Sequence, residues 1–134
     1  MYATLFEEFI NSGDSLRIYQ KETLIFASRR NGLIPLMDYL SAKPRGQDIY
    51  IFDAVIGNAA ALLAVKGGAS EVFSPLGSAI AIKTLDKFNV AYTFIQTVPH
   101  ILRADGKDIC PMEKLSLEKT PEEFYTALKA VLKG

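Results

Sequence analysis

Tyr2, Leu5, Phe6, Phe9 and Ile10 recur at the spacing of one helical face and stop at Asn11-Ser12-Gly13, so the chain is expected to open with a helix. Two short β-prone runs follow, "SLRIYQ" and "TLIFAS", separated by Lys21-Glu22, and they read as a hairpin. "GLIPLMDYLSAK" then places Leu33, Leu36, Met37 and Leu40 on one helical face, with Pro35 in the first turn and Pro44 beyond the end. "DIYIFDAVIG" is apolar on both parities, the pattern of a strand covered on both faces, and Asp53 is the one charge inside it.

The second half repeats the unit. "GNAAALLAVKGG" predicts an alanine-rich helix closed by Gly67-Gly68, "EVFSP" a strand, "GSAIAIKTLDKFN" a helix and "VAYTFIQTV" a strand. A loop is expected over 99–118. A last helix spans Pro121 to Lys133, with Thr120 as its N-cap and Glu122 and Glu123 in its first turn. The expected fold is α/β, a three-layer α/β/α sandwich around a five-stranded mixed sheet with an N-terminal hairpin. At 134 residues the chain is expected to form one domain over 1–134.

Fifteen basic residues balance fifteen acidic ones, so no general field exists to hold a phosphate backbone, and nucleic acid is not an expected partner. No apolar run approaches the ~20 residues that span a bilayer, and the start carries acids where a signal peptide needs bases. No membrane association is expected. A lone cysteine makes no intrachain disulfide, in keeping with a cytoplasmic location. Oligomeric state cannot be read from the pattern, and a homodimer stays open.

The succession of elements matches the cytidine-deaminase-like fold. "GNAAALLAVKGG" together with "ICPMEK", and the spacing between them, resembles the uncharacterised domain-of-unknown-function 1893 family over essentially the whole chain. That resemblance implies a fold and little chemistry. Zinc deaminases need a His or Cys ligand beside a glutamate at one helix start and two cysteines at the next. Here the first of these helices opens with Asn31-Gly32-Leu33-Ile34-Pro35 and the second with Gly57-Asn58-Ala59-Ala60-Ala61. Neither set can ligate zinc, so a zinc-dependent deaminase is not expected and no metal or cofactor is implied.

In an open α/β sheet, ligands bind where strand carboxyl ends meet the N-termini of the following helices. One such corner is "DAVIGN", where Asp53 can accept hydrogen bonds, Gly57 permits close approach and Asn58 offers an amide. The other is "SPLGS", where Ser74, Gly77 and Ser78 can present hydroxyl and backbone donors. Cap and turn chemistry explains the same residue types without a ligand.

The segment "HILRADGKDICPME" follows the last strand and holds the only histidine, His100, and the only cysteine, Cys110. It is expected to fold over the crevice, with Arg103 as an anion contact. Two readings follow. One is a small-molecule binding domain for a nucleotide-like or other anionic metabolite, using Asp53, Gly57, Asn58, Ser74, Gly77, Ser78 and Arg103. The other is a metal-independent enzyme with Cys110 as nucleophile and Glu113 or Asp53 as acid or base.

Overall fold

The computed structural model describes residues 2–42, 46–102, 106 and 108–133. Its elements in chain order are α1 (Tyr2–Ser12), β1 (Leu16–Gln20), β2 (Thr23–Ser28), α2 (Ile34–Ser41), β3 (Ile49–Asp53) and α3 (Asn58–Lys66). They continue with β4 (Ala69–Ser78), α4 (Ala79–Lys87), β5 (Ala91–Val98), α5 (Pro111–Ser116) and α6 (Pro121–Lys133). The strands form one five-stranded open sheet in the order β2-β1-β3-β4-β5. β1 runs antiparallel to β2 and β3, whereas β4 runs parallel to β3 and β5, so the sheet is mixed.

Alternate residues of β3 explain how both faces are covered. Ile49 and Ile51 point into a large core with α2, α3, α4 and α6, whose members include Leu36, Leu63, Leu85 and Phe124. Phe52, next after Ile51 and on the other face, packs with Tyr19, Phe73 and the α1 residues Phe6 and Phe9. The Phe52 and Phe73 rings stack at 4.6 Å with an interplanar angle of 9°. Helix α3 is the hub of the larger core: its buried run Asn58 to Ala64 leaves no solvated stripe, as its small, unpolarised sequence foreshadows. Among the described residues, no helix is long and apolar enough to cross a membrane.

Two elements differ from the sequence expectation. β4 does not end at Pro75 but runs to Ser78, pairing Leu76, Gly77 and Ser78 with Gln96, Thr97 and Val98 of β5. Proline is tolerated there because the β3 ladder on the other side has already stopped at Phe73. The fully buried Ser74 bridges the interruption: its Oγ donates to the Leu76 carbonyl at 2.8 Å and accepts from the Leu76 amide at 3.1 Å. The extension is also stitched to the chain leaving β3, since the Ile56 amide donates to Leu76 O and the Ser78 amide to Ile56 O. The second difference is α5, six residues inside the segment expected as a loop, with Pro111 in its first turn.

Candidate functional site

A cavity of about 380 Å³ opens where β3 ends and α3 begins. Ser15 and Asn31–Leu33 form one side, and Asp53, Ala54, Val55 and Gly57 form the floor. Ala59 and Ala60 come from the first turn of α3, while Ile101, Cys110, Met112 and Glu113 close the opposite side. From the segment 100–113, Ile101, Cys110, Met112 and Glu113 reach this cavity. An isolated bridge between Leu102 and Ile109, and the Cys110 amide donating to Ile101 O at 3.0 Å, hold residues 101–102 against 109–110.

Asp53 is the last residue of β3 and pairs with Leu16 of β1, which turns its side chain toward the α3 side of the sheet. Among the described residues, the hydrogen bond its carboxylate accepts within ordinary range is a long one, 3.5 Å from the Val55 amide. Burial pushes the acid up from 3.8 to about 7, and the backbone amides of Val55 and Ala54 offset part of that rise. Asp53 is half-buried at the cavity wall, and among the described residues no side chain donates to its oxygens.

Glu113 behaves differently although it faces the same space. One carboxylate oxygen accepts from the Asn58 amide at 2.9 Å and the other from the Ala59 amide at 2.8 Å. Glu113 therefore neutralises the free N–H groups and the positive dipole end of α3, from a position 55 residues away in the chain. The close approach depends on Gly57, because a Cβ there would lie 2.5 Å from Glu113 Oε1. Beneath this contact the Asn58 side chain donates to Ser116 O and Oγ and accepts from Thr84 Oγ1, tying α3, α4 and α5 together.

The sequence candidates separate accordingly. Asp53, Gly57, Cys110 and Glu113 meet at one cavity. Asn58 is 4% exposed and spends its side chain on Ser116 and Thr84. The second expected corner lies apart from the first: "SPLGS" is strand, and Ser74, Gly77 and Ser78 do not line this cavity. Ser74 bonds across Pro75, Ser78 caps α4 by accepting from the Ala81 amide at 3.0 Å, and a Cβ at Gly77 would meet the Phe94 ring at 2.1 Å. His100 is half-buried and does not line the cavity. Arg103 lies outside the described residues.

The sequence reading missed Ser15, Leu33, Val55, Ile101 and Met112 as walls, and Thr84 and Ser116 as partners of Asn58. Nothing local marks them, since their roles arise from elements that meet only in the folded chain. Among the described residues, no group of three or more His, Cys, Asp and Glu side chains could hold a metal ion.

A crystal structure of a DUF1893 family protein (TM1506) from Thermotoga maritima superposes on the chain with a TM-score of 0.89 and 26% identity. The match covers 97% of this chain and 88% of that one. No curated protein matches the chain. The profile of the family described as "Domain of unknown function (DUF1893)" matches residues 5–132, and over that near-complete span the chain belongs to this family.

Proposed function

We propose that the protein is a non-catalytic small-molecule binding domain on a cytidine-deaminase-like scaffold without its zinc, acting in the cytoplasm. The observation that carries this reading is the Asp53 cavity. It has the volume of a small-ligand site, mainly apolar walls, and an acid with unspent hydrogen-bonding capacity at its edge. A nucleotide-like ligand fits this arrangement when an amine or hydroxyl of its base or sugar donates to Asp53. Because Glu113 already takes the α3 amides, an anionic end of the ligand has no partner at that helix start.

Titration with a panel of nucleobases, nucleosides and nucleoside monophosphates, followed by backbone amide signals, tests the proposal. The expected result is saturable movement at Val55, Gly57 and Cys110 with at least one compound, weakened at least tenfold by Asp53→Asn. Silence at those signals across the panel, or equal affinity in the variant, overturns it.

The shared cavity of Cys110 and Asp53 favours one other reading, an enzyme with a cysteine nucleophile and Asp53 as its acid or base. An acid poised near neutral pH suits that role better than Glu113, whose two oxygens are held by α3. Covalent labelling of Cys110 by iodoacetamide separates the readings: a rate far above that of a free thiol at neutral pH supports the enzyme, an ordinary rate the binder.

A further inference from the structure

A second cavity, about 250 Å³, lies on the far side of the Asn58 network, between α4 and the chain joining α5 to α6. Three lysines converge on it. Lys83 and Lys87 stand one helical turn apart on α4, and Lys119 faces them from the α5–α6 connection. Glu118 is the one acid in its wall, and among the described residues none of the three ammoniums has a carboxylate within ion-pair distance. Lys87 sits 5.6 Å from the centre of the Phe88 ring. In a chain with fifteen bases and fifteen acids, three ammoniums at one small concavity outweigh Glu118 in its wall and Glu123 beside Lys119, leaving a local excess of positive charge. An anion seated there meets a positive local potential, weakened by the exposure of Lys83 and Lys87 to solvent.

The remaining walls define what kind of anion fits. Asn58 and Thr84 line the floor but offer an anion no free side-chain donor, since the Asn58 amide hydrogens go to Ser116 and the Thr84 hydroxyl proton goes to Asn58, so the lysines supply the contacts. Thr120 adds a hydroxyl at the rim, while Leu62, Ile80, Phe88 and Leu117 supply apolar surface. Charge on one side and an aromatic ring with aliphatic neighbours on the other suit a phosphate-like group carried on a small organic body. The small volume favours such a molecule over a polymer.

We propose that the Lys83, Lys87 and Lys119 cavity is an anion-binding site for a small phosphorylated metabolite, separate from the Asp53 cavity and independent of what binds there. The test is an amide-resolved titration with inorganic phosphate and with phenyl phosphate at constant ionic strength, repeated with the Lys83→Gln, Lys119→Gln double variant. Expected are saturable shifts at Thr84, Lys119 and Thr120, tighter binding of phenyl phosphate than of inorganic phosphate, and a loss of affinity of at least tenfold in the double variant. Shifts that never saturate, that chloride reproduces, that persist in the variant, or that appear only around Asp53 overturn the proposal. Tighter binding of a short oligonucleotide carrying the same number of phosphates overturns the assignment to a small molecule.

Discussion

Tyr39 is 1% exposed, and its hydroxyl has no hydrogen-bond partner among the described residues. The ring itself is well used, meeting Phe26 edge-on at 5.7 Å within the larger core. Removing the hydroxyl keeps that packing and lifts the cost of a buried unpaired polar group, so Tyr39→Phe is expected to stabilise the protein by about 1–2 kcal/mol. Urea unfolding measures the difference, and a destabilised variant refutes the assignment of an unsatisfied group. Other single residues were legible from sequence only as chemistry. Asp53 was recognisable because a lone acid in an apolar strand must be desolvated or paired. Ser78 was recognisable as a helix cap. Gly77 was not, because nothing next to it in the chain announces that Phe94 needs the space of its missing Cβ.

Among the elements, the contact between α3 and α5 depends on a single atom's worth of room. A methyl group at Gly57 would force the Glu113 carboxylate off the Asn58 and Ala59 amides and leave a helix start without its buried counter-charge. Gly57→Ala is therefore expected to cost about 2–3 kcal/mol, near the upper range for losing charge-assisted bonds, and Glu113→Ala a similar amount. Non-additivity distinguishes this account from simple crowding: with Glu113 already truncated, Gly57→Ala should be nearly neutral. If the two losses add in full, the carboxylate is not what Gly57 accommodates. The order and type of the long elements followed from periodicity, because each carries enough apolar positions to show a face. Helix α5 escaped since six residues make fewer than two turns, and β4 seemed to stop at Pro75 because the serine that bridges the proline acts through its side chain. The cavity walls were least legible, since they come from five separate stretches of chain.

For the molecule as a whole, Asp53 links folding to pH. Its acid titrates near 7 in the folded chain and near 3.8 when exposed, so the native state holds a proton that the unfolded state has released between those values. The stability this group contributes is complete below the unfolded value and is lost as pH rises through about 7. Asp53→Asn removes the titration, so the gap in melting temperature between the variant and the natural protein should shift in favour of the variant from pH 5 to pH 8. Thermal unfolding at both values checks it, and a gap that stays constant shows that the acid titrates normally.

The bond between Glu113 and the start of α3 also sets an order of events during synthesis. When residues 1–98 have left the ribosome, all five strands are available and the sheet can assemble, but the first amides of α3 still lack the carboxylate that occupies them in the finished protein. The cavity walls supplied by Ile101, Cys110, Met112 and Glu113 are missing at that stage. A nascent chain stalled before Ile101 therefore lacks both this wall and the α6 residues Phe124 and Leu128 of the larger core, and the enclosed site comes into being only once Glu113 has been made and docked on α3.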